Sequence, residues 1–270
     1  MWHKAVSAIA IASLLSGCAG AVHQLPQLDQ TNLNMAQTEV AAAGGAPARH
    51  SVSDDDVART LNESLARIKP AATQLCHEMA VGVCEWQFKK SSDHSMNAGA
   101  TVNGVIFVNR GIVEYAANEE EIAMVIAHEI GHQSANHVAA GQRNQAIGSI
   151  VGAVLLGVLG AAASNNSRNS AAITRSAMDV GSNVGGAIGR ISFSKEQERE
   201  ADYLSALILF RAGVDLDKAR GFLVTMARAS GRKETGMLDT HPAGPERLAA
   251  WDKAVTEIRA SNGALPKRAH

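Results

Sequence analysis

The segment His128-Glu129-Ile130-Gly131-His132 most constrains what this chain can fold into. On an α-helix, residues four apart lie about 40° from each other around the axis, so both histidines project from one face. Two imidazole nitrogens in this arrangement can hold one Zn²⁺. Glu129 projects beside them, where a carboxylate can take a proton from a water bound to the metal. The spacing is typical of a zinc peptidase.

The surrounding residues predict a helix from Asn118 to Ala140. Asn118 is a favourable N-cap, and Glu121 three residues later completes a capping-box pattern. Three residues at helical spacing form an apolar stripe away from the histidines: Ile122, Ile126 and Ile130. One face is therefore available to the core and another to a ligand. The alternative is a helix whose two histidines belong to a buried polar network without a metal.

A catalytic zinc keeps three protein ligands and one open position. In the pattern HExxHxxGxxH, the third ligand lies at position 138, after a glycine at position 135. This chain has Val138 and Ala135 there, which excludes that class. His137 is one residue off, and we predict that it is a polar surface histidine. A glutamate on a second helix is the remaining source of the third ligand.

A second helix with suitable carboxylates is predicted from Ser194, which can cap it in a capping box with Gln197, to about Gly213. Glu198 lies within its first two turns. A ligand carboxylate is often followed by a second carboxylate one turn later, which accepts the spare N–H of a ligand histidine. Asp202 lies at that position.

Spacing alone does not separate Glu198 from its neighbours on this helix. Glu196 and Glu200 project more than about 100° away on either side. We predict that these two glutamates belong to a solvated charged face.

Four motifs, in order, resemble the zinc metallopeptidase family of the CAAX prenyl protease and HtpX. The resemblance is to its periplasmic lipoprotein branch, which includes LoiP and BepA. The motifs are Asn97-Ala98-Gly99-Ala100, HEIGH, the ExxAD of residues 198–202, and Thr240-His241-Pro242 followed by Arg247. They cover roughly Ser53 to Ala260. The resemblance implies an α+β, mainly helical, zincin-type metalloprotease domain, with a small edge-exposed β-sheet and the HExxH helix.

The resemblance also implies roles for particular residues. One Zn²⁺ per chain would be bound by His128, His132 and Glu198, and Asp202 would orient a zinc-bound histidine. His241 is the candidate for a further hydrogen-bond donor to the oxyanion, with a capping or packing role as the alternative.

Two further residues are expected to meet the substrate. Asn97 and Ala98 lie at an expected sheet edge, where an extended peptide could add a strand.

The N-terminus predicts export and lipidation. Residues 1–17 read as a lipoprotein signal peptide, in which a short positive start and an apolar core precede Leu15-Ser16-Gly17-Cys18. Cys18 would become the lipidated N-terminus and the membrane contact. The alternative is an ordinary signal peptide that contains a cysteine. We predict a tether at 18–52, the peptidase domain at 53–270, and an outer-membrane location on the periplasmic face.

Cys76 and Cys84 are expected to form a disulfide in an oxidising compartment, with two buried free thiols as the alternative. The net charge of −1 suggests no nucleic-acid partner.

Within the domain, Ser53 begins a predicted helix that runs to about Lys69, where Pro70 kinks or restarts it. Residues 81–88 read as a strand, and residues 98–108 read as a hairpin around Asn103-Gly104. Residues 145–190 form a Gly/Ala-rich insert, which could be a lid, a membrane contact or a passive loop.

These features together predict a zinc-dependent endopeptidase of the bacterial periplasm. Its expected substrates are misfolded or unassembled envelope proteins, with outer-membrane assembly machinery as a candidate partner. The alternative is a chaperone-like binding lipoprotein that keeps the fold without the activity. Glu129 argues against this alternative, because metal binding alone requires no base at that position.

Overall fold

The computed structural model describes residues 20–146, 192–229, 241 and 243–269. The predictions for the signal peptide, for Cys18 and for nearly all of the insert at 145–190 lie outside these residues. The chain divides into two compact units. The elements and the site described below belong to the unit made of Ala21–Ala139 and Ala187–His270.

Along this unit, two helices precede the strands of the sheet, and further helices follow them. The elements are α1 (Gln30–Ala43), α2 (Asp54–Met79), β1 (Gln87–Ser91), β2 (Ala98–Ala100), β3 (Val105–Asn109), α3 (Arg110–Tyr115), α4 (Glu119–Ser134), α5 (Lys195–Arg211), α6 (Leu216–Ala219), α7 (Gly221–Ala229) and α8 (Pro245–Ala260). The sheet order is β1-β3-β2, with β1 parallel and β2 antiparallel to β3. The fold is therefore mainly helical with a small sheet, as expected. Among the residues described, no helix has both the length and the apolar character needed to cross a membrane.

The HExxH helix α4 is shorter than predicted. Asn118 caps it, and its side chain accepts a hydrogen bond from the backbone N–H of Glu121. The helix ends at Ser134 because Asn136 adopts a left-handed backbone conformation with φ of 60°. Asparagine tolerates this region better than most residues. Helical backbone resumes at residue 137, so the direction of His137 differs from that in one continuous helix.

Helices α4 and α5 pack closely because Gly131 has no side chain. A Cβ atom at Gly131 would lie 3.0 Å from the carbonyl oxygen of Ala201 and 3.4 Å from Cβ of Leu204. Helix α5 begins with the predicted capping box of Ser194 and Gln197. The two helices that carry the predicted metal ligands are thus held side by side.

The first strand begins later than predicted, at Gln87 rather than near residue 81. The residues before it form a turn against the end of α4. A Cβ atom at Gly82 would lie 1.9 Å from the carbonyl oxygen of Gln133, so only glycine fits there. Val83 donates its backbone N–H to the same carbonyl, at 3.2 Å. This contact takes these residues out of the sheet. Helix α2, in turn, continues through Pro70 as one helix to Met79, where the sequence predicted a kink or a restart at Pro70.

Cys76 and Cys84 form a disulfide that joins the end of α2 to this turn. We predict that alkylation without reductant labels neither residue in the mature protein, and that reduction adds two labels in an intact-mass spectrum. Closing so short a loop contributes about 2–3 kcal/mol to the free energy of unfolding in the chain-entropy model. Labelling of both cysteines in unreduced periplasmic material would contradict the bridge.

The segment predicted as a tether is structured from residue 21 onward. Helix α1 packs against α8 and α7, and Arg220 makes paired hydrogen bonds with Glu39. The sequence did not predict this helix because its apolar stripe has only three members that contact the core: Leu33, Ala36 and Val40. We call residues 21–24 the N-terminal strap. It runs beside the C-terminus, where Gln24 donates its backbone N–H to the carbonyl of Lys267.

Candidate metal centre

Four buried side chains converge where α4, α5 and the segment before α8 meet. His128, His132, Glu198 and His241 each offer one ligand atom, and these atoms all lie within 4.8 Å of one another. The Nε2 atoms of His128 and His132 are 3.1 Å apart. Glu198 lies 3.4 Å from His132 Nε2 through Oε1 and 3.5 Å from His128 Nε2 through Oε2.

This set of atoms fits a metal ion. Imidazole nitrogens and a carboxylate oxygen are ligands that Zn²⁺ accepts. Glu129 is fully buried beside them, and neither of its carboxylate oxygens has a hydrogen-bond partner among the described residues. Leaving a buried carboxylate without partners is costly, so such groups mark functional sites. Of the three glutamates on α5 that the sequence offered, only Glu198 contributes an atom to this set. The geometry therefore supports Glu198, rather than Glu196 or Glu200, as the third ligand.

Asp202 lies where the sequence predicted, one turn after Glu198. Its Oδ1 is 3.0 Å from His128 Nδ1, the ring nitrogen that faces away from the cluster. An acceptor in this position holds the proton on Nδ1, which leaves the lone pair of Nε2 free for a ligand bond.

Arg247 joins the two carboxylates, a role that the sequence did not assign to it. Its guanidinium donates to both oxygens of Asp202, at 2.6 and 2.8 Å, and its Nη1 lies 3.0 Å from Glu198 Oε2. The side chain is 5 % exposed. A signal was present in the sequence, because Arg247 shares a helix face with the buried residues Trp251 and Ala254.

These contacts set the charge of the site. Burial opposes a charged imidazole at His128, but hydrogen bonds to Asp202 and Glu198 outweigh it and raise its pKa to about 9 in the metal-free protein. A metal that binds Nε2 must therefore displace a proton from this ring. At His132, burial dominates and holds the pKa well below its usual value. Burial would raise the pKa of Glu198, yet the nearby His241 and Arg247 keep it well below its usual range. The carboxylate of Glu198 is therefore ionised, as a metal ligand must be.

Two sequence predictions at this site were wrong. His137, expected at the surface, is 1 % exposed, and its Nδ1 lies 3.1 Å from Nδ1 of His132. Glu200, expected on a solvated face, is fully buried and lies 2.9 Å from His137 Nε2. The face of α5 that carries Glu200 is covered by the N-terminal strap, which the sequence presented as a tether. Glu196 is exposed, as predicted.

His241 is brought into the site, as predicted. Its Nδ1 lies 2.9 Å from Glu198 Oε1, and its Nε2 lies 3.5 Å from Glu129 Oε1. It can therefore serve as a fourth ligand or as a donor beside Glu129. Its neighbours Thr240 and Pro242 lie outside the described residues.

Phe193, to which the sequence pattern assigned no role, stacks on the ring of His132, with centroids 3.8 Å apart. Its aromatic ring covers one side of the cluster.

Asn97 and Ala98 contribute no atom to this cluster. Ala98 begins β2, the strand at one edge of the sheet, and Asn97 precedes it. Within the described residues, no strand pairs with the outer edge of β2. Both features agree with the expected sheet edge.

A cavity of about 370 Å³ opens beside Glu198. Its walls come from α1 and from the first turns of α5 and α8. Leu33 and Gln37 of α1 line it, together with Arg199 and Pro245. Helix α1, which lies in the segment predicted as a tether, therefore shapes the space next to Glu198.

Comparison with known proteins decides the family. The model of Peptidase family M48 matches residues 62–255, well over half of the chain. This chain belongs to peptidase family M48. The M48 match includes α4, α5 and residue 241, and hence every residue of the cluster.

Named relatives of this M48 chain include several proteases. It is 33 % identical over 174 residues to the beta-barrel assembly-enhancing protease of Escherichia coli K12, covering 62 % of this chain and 34 % of that protein. It is 29 % identical over 185 residues to the mitochondrial metalloendopeptidase OMA1 of Saccharomyces cerevisiae, covering 64 % and 49 %. It is 29 % identical over 160 residues to metalloprotease YcaL of E. coli K12, covering 59 % and 58 %. The matched regions thus span between about a third and three fifths of these relatives.

Proposed function

We propose that this chain is a zinc endopeptidase whose single Zn²⁺ is bound by His128, His132 and Glu198. The observation that carries the proposal is the convergence of their ligand atoms beside the buried carboxylate of Glu129, whose oxygens accept no hydrogen bond from the described residues. A bound Zn²⁺ would activate water and stabilise the negative charge that develops on the peptide oxygen.

The residues around this site have distinct tasks in the proposal. Glu129 accepts the proton of the attacking water on a carboxylate oxygen and passes it to the leaving amine. Asp202 fixes the His128 ring through Nδ1, and Arg247 holds Asp202 and Glu198 in place. Phe193 keeps bulk water from the ring of His132.

We propose that substrate binds as an extended peptide along the outer edge of β2, next to Asn97 and Ala98. Backbone pairing selects an extended, unfolded segment and places few demands on its sequence. A substrate side chain would occupy the cavity beside Glu198, whose walls include apolar Leu33 and Pro245.

Casein hydrolysis tests the proposed activity. The purified mature protein should cleave casein, lose this activity in a chelator, and regain it when Zn²⁺ is added. A chaperone-like lipoprotein with the same fold would bind casein without producing fragments. Binding without cleavage by fully zinc-loaded protein would favour that second class.

We further propose that the protein acts in the periplasm, bound to the outer membrane by lipid on Cys18, and degrades misfolded or unassembled envelope proteins. The support is the Leu15-Ser16-Gly17-Cys18 pattern and the relatives that are named beta-barrel assembly-enhancing proteases. Outer-membrane assembly machinery is the corresponding candidate partner. Mass spectrometry of the mature N-terminus tests the anchor, and substrates captured by a Glu129→Gln variant in cells test the substrate class. A mature N-terminus without lipid would contradict the anchor. Capture of cytoplasmic proteins and no envelope proteins would contradict the substrate class.

His241→Ala should retain zinc and lose about 10²–10³-fold in kcat, as expected when one donor to the oxyanion is removed. The reason is the position of His241 Nε2 beside Glu129. Metal analysis and casein kinetics check both parts. His50→Ala, which changes an exposed histidine, is the matched control. Loss of zinc from His241→Ala would instead make this residue a ligand.

A further inference from the structure

The N-terminal strap reaches the metal centre through a continuous line of buried hydrogen bonds. Glu200 accepts the backbone N–H groups of Val22 and His23, at 2.7 and 2.9 Å. The same carboxylate lies 2.7 Å from His23 Nδ1. Its Oε2 also lies 2.9 Å from His137 Nε2. Both carboxylate oxygens of Glu200 are therefore used, and Oε2 contacts both the strap and His137.

The line continues from His137 to a predicted metal ligand. His137 Nδ1 lies 3.1 Å from His132 Nδ1, while His132 Nε2 faces the cluster. Two facing ring nitrogens make a hydrogen bond only when one carries a proton and the other offers a lone pair. The tautomers of the two rings are therefore coupled.

Only one arrangement of protons leaves His132 able to bind a metal through Nε2. Its own proton must then be on Nδ1, which donates to Nδ1 of His137. His137 must in turn carry its proton on Nε2, where Glu200 accepts it. The opposite arrangement would put a proton on His132 Nε2 and block the ligand position. A carboxylate at Glu200 selects the first arrangement, because it can accept from His137 but cannot donate.

We propose that the N-terminal strap, Glu200 and His137 position His132 for metal binding, as Asp202 does for His128. The strap aims the Glu200 carboxylate, Glu200 fixes the tautomer of His137, and His137 holds the proton on His132 Nδ1. The strap is itself held by the C-terminus, since Ala269 donates its backbone N–H to the carbonyl of Val22 at 2.9 Å. This role rests on the proposed zinc site.

The test compares Glu200→Gln with Glu196→Gln in the full mature protein. Both variants remove one carboxylate from α5, but only Glu200 is buried and part of the line. Competition with a chromophoric chelator should show zinc affinity about 10–100-fold weaker in Glu200→Gln, the usual cost of losing such a partner. Glu196→Gln should match the wild type. Thermal unfolding in chelator reports whether each apo-protein is folded.

A second measurement reads the tautomer directly and requires no activity. Nitrogen NMR of ¹⁵N-histidine-labelled apo-protein should show His132 with its proton on Nδ1 in the wild type. In Glu200→Gln it should show a mixture of tautomers. A purely structural role for Glu200 would change stability without changing this ratio.

His23→Phe tests the part played by the strap, since it keeps an aromatic ring but removes both ring nitrogens, including the Nδ1 that contacts Glu200. It should weaken zinc binding less than Glu200→Gln, because two backbone donors remain, and it should add no further loss in the Glu200→Gln background. The proposal is overturned if Glu200→Gln keeps wild-type affinity and a single His132 tautomer, or if His23→Phe has no effect. Suppose that this overturning result is obtained while His132→Ala loses zinc in the same assay. Then only the positioning role of the strap, Glu200 and His137 fails, and the proposed zinc site stands. If the wild type binds no zinc, the proposed function fails with it.

Discussion

Glu129→Gln should abolish casein cleavage while the protein keeps its zinc. Glu129 offers no atom to the group of four ligand residues, so its replacement leaves that set complete. The amide of glutamine cannot accept and return a proton as a carboxylate does. General-base catalysis typically contributes 10²–10⁴-fold, and we expect a loss near the upper end, about 10⁴-fold in kcat.

Three measurements make this prediction specific. Elemental analysis should give one zinc per chain in both proteins, and thermal unfolding should show no loss of stability. Glu119→Gln changes an exposed carboxylate at the start of the same helix and should keep wild-type kcat. A Glu129→Gln protein that binds zinc and cleaves casein at the wild-type rate would contradict the proposed mechanism.

Glu198→Ala should lose both zinc and activity. A catalytic zinc site has three protein ligands, and this change removes the only carboxylate among the four converging residues. It also leaves Arg247 Nη1 without its partner. The loss of zinc affinity should exceed the about 10–100-fold that removal of an outer hydrogen-bond partner costs.

The neighbouring glutamate Glu196 provides the matched control, because it lies on the same helix and is exposed. Glu196→Ala should keep one zinc per chain and wild-type kcat. Glu198→Gln repeats the test with a side chain of nearly the same shape, so that loss of packing does not explain the result. Full zinc content in Glu198→Ala would remove this residue from the ligand set.

The sequence predicted the parts of the site that depend on local geometry. His128 and His132 share a helix face because of their spacing, and the caps at Asn118 and Ser194 confirm where both helices begin. These features need no knowledge of distant residues. Choosing Glu198 over its neighbours required the family resemblance, since helical spacing alone left three candidates.

The errors arose where distant parts of the chain meet. Glu200 was predicted to be solvated, but its partner His23 lies 177 residues away in sequence. No pattern around Glu200 reports that contact. The start of β1 was predicted too early for a similar reason. Its position follows from parallel pairing with β3, in which Gln87 lies opposite Val105, and from the turn that holds Gly82 against α4.

Arg247 shows a different difficulty. An arginine on an otherwise apolar helix face can be recognised as an anomaly in the sequence, because a charge buried there requires partners. The partners themselves, Asp202 and Glu198, could be identified only once α5 and α8 were seen packed together.

The most direct test of the central claim is a titration of metal-free protein with Zn²⁺, in which casein cleavage is followed at each addition. If one zinc held by His128, His132 and Glu198 forms the peptidase site, the rate should rise in proportion to added zinc and level off at one equivalent per chain. The same titration of Glu129→Gln should show zinc uptake with the same endpoint and almost no cleavage. Full activity in the metal-free protein, or one bound zinc in the wild type without any cleavage, would contradict the account.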